Sequence, residues 1–161
     1  MDTSRVSLGE MIAAAGGLVL LVCMFLPWFS GQLSGRGRAA VVVPTTTGWE
    51  SYSGVFDITF VVLAALPIVL AIARANDSSL PLPIEQGAFL MAAGALLFLI
   101  VVLRLIDPPQ PLDVAIPGLE LDTTRKLAAF AAALAAAAIG VGGYLQRSMR
   151  RVGFEPTLTG T

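Results

Sequence analysis

Val101-Val102-Leu103-Arg104-Leu105-Ile106-Asp107-Pro108-Pro109 marks where a long apolar helix meets its boundary and so fixes the class of the whole chain. It closes the third of four long apolar runs and stops at an aspartate and two prolines, residues that do not continue a helix. It also carries Arg104, the one full charge inside a run rather than beside it. A charge at the centre of a membrane helix costs about 3 kcal/mol on insertion scales and much less near the edge. Counted from Pro83 at about 1.5 Å per residue, Arg104 lies about 31 Å along the helix, at the far edge of the hydrocarbon. Asp57, in the first turn of the second run, enters from that same edge. The depths match if the second and third helices are antiparallel neighbours, which predicts an Arg104–Asp57 ion pair. The alternative is an arginine that snorkels to headgroups and bonds Asp107 one turn on.

Composition supports the same class. Hydrophobic residues make up 56% of the 161 and charged residues 13%, too little polar surface for a soluble domain of one-domain length. The net charge of −1 gives no field that would draw nucleic acid. There is no histidine, and Cys23 is the lone cysteine, so no internal disulfide forms and Cys23 reads as a packing residue.

In chain order, Ser7-Leu8-Gly9-Glu10 is a capping box opening the first run. That run is longer than a signal-peptide core and no small-x-small site follows, so it reads as a retained helix over about 8–29. Trp28 at its exit, and Trp49 and Tyr52 before the second run, are expected as interfacial anchors. Residues 30–54 form a long loop in which Val41-Val42-Val43 favours a strand. The second helix, about 55–74, has Ser53 as a candidate cap, contains Pro67, which should kink it, and ends at Arg74, suited to the helix dipole and to snorkelling. A short turn with Pro83 leads to the third helix, about 84–106. In the loop 107–123 the segments 112–116 and 119–122 alternate around Pro117-Gly118, which predicts a hairpin able to pair with Val41–Val43. Asp122 or Thr123 should cap the fourth helix, about 124–146. Ala132, Ala136 and Gly140 form a small-residue stripe on it, for packing within the bundle or between copies. Arg147, Arg150 and Arg151 follow as headgroup contacts, and 152–161 reads as a mobile tail.

Even crossings place both termini on one side with Arg5, Arg74, Arg147, Arg150 and Arg151. The other side carries Arg36, Arg38, Arg104, Arg125 and Lys126. The tie is resolved by the Arg147–Arg151 cluster beside a crossing and by the long loops opposite, so the termini are expected in the cytoplasm.

Catalytic patterns are missing from this reading. Without histidine the common base and metal ligand is gone, one cysteine builds no thiolate site, and Gly35-Arg36-Gly37 lacks phosphate-loop spacing. Glu50, Asp57, Asp107, Asp113, Glu120 and Asp122 read as a solvated rim, with no calcium-loop spacing. The run centres hold apolar and small residues, which disfavours a substrate path.

Leu26-Pro27-Trp28-Phe29, Gly48-Trp49-Glu50-Ser51-Tyr52 and Arg104-Leu105-Ile106-Asp107-Pro108-Pro109 together resemble small four-helix membrane proteins of actinobacteria and their relatives. The resemblance covers nearly the whole chain, although the N-terminal zinc ribbon of some relatives is missing. It implies a topology and a bacterial inner-membrane location, with no assigned activity. The tryptophan-bearing first loop is also weakly similar to claudin-type proteins, whose paired loop cysteines are absent here.

The expected architecture is an all-α membrane fold. It is one membrane domain, a four-transmembrane-helix bundle with a small extracytoplasmic β element from the two long loops. The expected function is non-enzymatic and needs no cofactor. It is that of an accessory, scaffold or envelope-associated subunit in the bilayer, contacting a membrane protein partner or further copies of itself. The alternative is a small-solute or ion transport component active as an oligomer.

Overall fold

The computed structural model describes residues 6–35, 38–52, 55–76, 85–109 and 119–152. Four helices carry the fold: α1 (Leu8–Met24), α2 (Val55–Ala75), α3 (Gln86–Ile106) and α4 (Leu127–Val152). Three strands accompany them: β1 (Pro27–Gly35), β2 (Arg38–Thr47) and β3 (Leu119–Arg125). A short 3-10 turn, Trp49–Ser51, leads toward α2. Three spans are long and apolar enough to cross a membrane: Phe56–Ala75, Gln86–Ile106 and Leu127–Met149. α1, with 17 residues, is apolar but shorter.

α1 starts at the predicted box. Glu10 N–H donates to Ser7 Oγ at 3.3 Å, and Ser7 N–H donates to Glu10 Oε2 at 2.9 Å. Its end differs from the expected Phe29. Pro27 biases Leu26 away from helical geometry, and Pro27-Trp28-Phe29 open β1 instead.

Helix packing is set by α4, which lies between α1 and α3, while α2 packs on the other flank of α1. α2 and α3 touch only sparsely, despite the short connection between them. Small residues explain why α4 takes the middle. A Cβ at Gly142 would lie 2.5 Å from the Gly9 carbonyl oxygen of α1, and one at Gly143 would lie 2.5 Å from the Met91 nitrogen of α3. Successive residues on a helix point about 100° apart, so this pair lets two backbones close in on two sides. Ala132 and Ala136 are wholly buried, and Gly140 sits against Gly94 and Ala95 of α3. The stripe is thus used inside the bundle. On the outer flank, a Cβ at Gly17 of α1 would lie 2.9 Å from Pro67 Cγ, so Pro67 of α2 nests on a glycine.

The sheet has the order β2-β1-β3, both pairs antiparallel. The prediction of strand pairing between the two loops stands in altered form. Val41–Val43 pair with Gly31–Leu33 of β1, and Leu119–Arg125 pair with β1 from its other side. The expected direct contact between Val41–Val43 and the 112–122 segment is replaced because β1, read as a helix tail and flexible loop, is the central strand. Residues 110–118, with the turn of the predicted hairpin, lie outside the described residues, as do Ser53, Pro83, and 153–161 of the expected tail. Asp122 and Thr123 belong to β3 rather than capping α4, which begins three residues later than expected and continues through Arg150 and Arg151 to Val152.

Candidate functional site

Polar chemistry gathers at the two opposite ends of the bundle. At the sheet end, Trp28 is the keystone. Its ring is wholly buried, and Nε1 donates to the Cys23 carbonyl oxygen at 2.7 Å. That carbonyl belongs to the last turn of α1, where helices leave acceptors without intrahelical donors. Gly48 is required against the same ring, since a Cβ there would come within 2.6 Å of Trp28 Nε1. The Trp28 carbonyl in turn accepts from Lys126 N–H at 2.7 Å, just before α4. The expected role of Trp28 as an interfacial anchor is corrected by this enclosure, because an anchor needs an exposed ring.

Tyr52 packs edge-on to Trp28, with ring centroids 6.0 Å apart, and stacks on Phe60 of α2 at 5.5 Å. Its hydroxyl donates weakly to the Ile100 carbonyl of α3 at 3.5 Å. Burial pushes the phenol well above its ordinary value. Tyr52 is therefore a half-buried wedge between α2 and α3, not a free anchor. Trp49 does remain exposed, stacked on Phe25 with the planes 5° apart.

The turn that places Tyr52 is capped from within. Glu50 N–H donates to Thr47 Oγ1 at 3.2 Å, and Thr47 N–H donates to Glu50 Oε2 at 2.9 Å. Thr47 Oγ1 also donates to Glu50 Oε2 at 3.0 Å, and the backbone and side-chain hydrogen bonds from Thr47 hold the Glu50 carboxyl below its ordinary range. Ser51 Oγ donates to the Thr47 carbonyl at 2.7 Å.

Arg104 reaches into this turn. Nη2 donates to the Ser51 carbonyl oxygen, and the guanidinium lies 5.7 Å from the Tyr52 ring centroid. The predicted Arg104–Asp57 ion pair is not among the ion pairs of the described residues. Asp57 Oδ1 and Arg104 Nε are each buried without a hydrogen-bond partner. The physical reason is the sparse α2–α3 seam: the two helices do not close on each other, and Arg104 donates to the Ser51 carbonyl instead. Tyr52 and Ser51 take the place of the carboxylate. Beside them lies a groove of about 490 Å³, lined among others by Tyr52, Phe56, Leu103, Arg104, Ile106 and Asp107.

Arg125, at the end of β3, donates through Nε to the Leu105 carbonyl at 2.6 Å and through Nη2 to the Ile106 carbonyl at 3.4 Å. It thus satisfies the terminal acceptors of α3.

The opposite end holds a cluster that sequence reasoning missed. Glu10 and Gln146 are 2% and 3% exposed. Gln146 Nε2 donates to Glu10 Oε1 at 2.8 Å, and Arg74 Nε lies 3.5 Å from the same oxygen. The capping glutamate of α1 thereby joins α2 and α4. The available signal was that Glu10 opens α1 while Arg74 and Gln146 lie toward the ends of α2 and α4, which puts all three at one end of an up-and-down bundle. Arg147, expected at headgroups, pairs with Glu85 at 3.4 Å; the side-chain contacts of Arg150 and Arg151 lie outside the described residues.

Among the described residues no group of three or more His, Cys, Asp or Glu side chains is placed to hold a metal ion. No known protein-family model and no curated protein matches the chain.

Proposed function

We propose that this is an integral membrane protein that crosses the bilayer four times and acts by contact, as an accessory, scaffold or envelope-associated subunit rather than an enzyme. The observation that carries the reading is the apolar outer face of the helices. Leu18 of α1, Val62 of α2, Leu99 of α3 and Leu134 of α4 are all about half exposed or more. Large apolar side chains displayed on every helix suit hydrocarbon and would be a liability in water. α1 completes the crossing with the Phe25–Leu26 step, its 17 residues being the lower limit for a span.

The sheet end is the contact surface in this reading. It is the only described end with extended structure, and it displays the Phe25–Trp49 stack. Interior positions midway along the helices, such as Leu20, Ala64, Leu97 and Ala136, are apolar or small and buried. They support contact rather than passage of a solute. Both termini are placed in the cytoplasm of a bacterial cell and the sheet outside its inner membrane, on the arginine arrangement and the actinobacterial resemblance.

Two measurements test this. The chain should resist alkaline carbonate extraction from membranes, and Thr45→Cys should react with an impermeant maleimide in intact cells; Cys23 is buried and gives little background. Release by carbonate defeats the membrane reading, and labelling at Thr45→Cys only after lysis reverses the orientation. Mild-detergent purification should then bring down a stoichiometric membrane partner; recovery of a homo-oligomer that conducts ions in liposomes would favour transport.

A further inference from the structure

We propose that the groove between the start of α2 and the end of α3 holds one aminophospholipid, with its phosphate on Arg104 and its ammonium beside Asp107. This rests on the membrane reading above and goes beyond it, to the chemistry of one lipid site.

The shape comes first. α2 and α3 leave their seam open, and the groove there has a volume of about 490 Å³, inside the range in which ligand pockets bury an organic molecule. Its walls are apolar side chains turned outward, Phe56 at 63%, Leu103 at 56% and Ile106 at 68% exposure. Such walls suit an acyl chain entering sideways from the bilayer.

The charges select the headgroup. Arg104 is already held at one nitrogen by the Ser51 carbonyl and along its plane by Tyr52. Its Nε is enclosed by protein and out of a ligand's reach, but the side chain lines the groove. A guanidinium is a strong, charge-assisted donor to phosphate oxygens. Asp107 is the C-cap residue of α3, three positions on from Arg104, and lines the same groove. No ion pair joins Asp107 to Arg104 among the described residues, so each charge is available to a ligand. A purely anionic headgroup would meet Asp107 as a like charge, and a purely cationic one would meet Arg104. A headgroup carrying phosphate and a protonated amine a few bonds apart satisfies both.

The test offers the purified protein dioleoyl phosphatidylethanolamine, phosphatidylcholine and phosphatidylglycerol at equal mole fraction in mild detergent. Retained lipid is read by native mass spectrometry. The ethanolamine lipid should be retained about tenfold over either competitor, since its ammonium alone donates hydrogen bonds to a carboxylate. Asp107→Asn changes an exposed side chain and should fold normally, while its retention of ethanolamine and glycerol lipids becomes equal. Arg104→Gln should lose retention of all three. Equal retention by the wild-type protein, preference for phosphatidylglycerol, or a preference that survives Asp107→Asn would each overturn the proposal. Should Arg104→Gln fail to fold, the wild-type protein and Asp107→Asn still decide it. Carbonate extraction separates the two readings: a released chain defeats the membrane reading together with the lipid site, whereas a retained chain without headgroup preference defeats the lipid site alone.

Discussion

The indole nitrogen of Trp28 lies 2.7 Å from the carbonyl oxygen of Cys23, so the last turn of α1 is closed by a side chain from the strand that follows it. Trp28→Phe keeps most of the ring volume and removes the donor. The Cys23 carbonyl then keeps only the Leu26 N–H at 3.1 Å, and losing one of its two hydrogen bonds costs about 0.5–1.5 kcal/mol. Thermal unfolding in detergent should show that loss. A melting temperature equal to wild type would mean that the indole donor is replaceable.

Gly142 and Gly140 make a matched pair of tests for helix packing. A Cβ at Gly142 meets backbone, the Gly9 oxygen at 2.5 Å and the Ala13 nitrogen at 2.7 Å, so helices must part. Gly142→Ala should cost about 1–3 kcal/mol, as overpacking does. A Cβ at Gly140 finds its nearest neighbours at 3.8 Å, and Gly140→Ala should be neutral or slightly stabilising, since alanine is the better helix former. Equal melting temperatures for the two variants would contradict this account.

At the other end, Glu10→Ala removes the acceptor shared by Gln146 and Arg74. Hydrogen bonds to a charged group are worth roughly 1.5–3 kcal/mol, and the loss should fall in that range. Arg74 is 38% exposed, so water screens its share. A double-mutant cycle between Glu10→Gln and Arg74→Gln should return a coupling of less than about 1 kcal/mol. A much larger coupling would show that the ion pair, rather than the amide hydrogen bond, holds the cluster.

Acid should loosen the turn before α2. The Glu50 carboxyl is held below its ordinary 4.5 by hydrogen bonds from Thr47. A carboxyl depressed on folding contributes stability that is present above its unfolded value and lost as pH falls through the folded one. Proteolysis within 47–52 should therefore rise as pH drops below that ordinary value. In Glu50→Gln the turn should be equally open at both ends of that range, and a persistent pH dependence would assign the effect to another group.

The charge swap at Arg104 and Asp57 has a clear expected outcome. Arg104→Asp removes the hydrogen bond to Ser51 and the contact with Tyr52, and should lower thermal stability. Because no ion pair joins the two residues, adding Asp57→Arg should recover none of the loss. Recovery would restore direct pairing as the basis of this site.

Much of this architecture was legible in the chain. The four apolar runs, the Ser7–Glu10 box and the Ala132–Ala136–Gly140 stripe predicted helices and a close-packed α4, because hydrophobic run length and local capping act over neighbouring residues. A strand in each loop was legible, from β-branched content at Val41–Val43 and alternation at 119–122, but their expected direct pairing is replaced by pairing of both with β1. The central place of β1 was not legible, since Ser30-Gly31-Gln32 carries no strand pattern and is paired by its neighbours on both sides. Trp28 and Tyr52 misled for a related reason: an aromatic beside an apolar run looks the same whether it faces headgroups or fills the end of the bundle. Glu10, Arg74 and Gln146 converge from three helices, and no local pattern announces such a meeting.

β1 follows α1 almost without a break, and β3 runs into α4 across Lys126 alone. The strand pairing therefore ties the first and last helices together a second time, beyond their own packed faces. A twist applied to α1 must be transmitted through β1 and β3 to α4. Among the described residues the seam between α2 and α3 carries no strand pairing and is bridged by side chains, Tyr52 to the Ile100 carbonyl and Arg104 to the Ser51 carbonyl, so strain there falls on side chains rather than backbone.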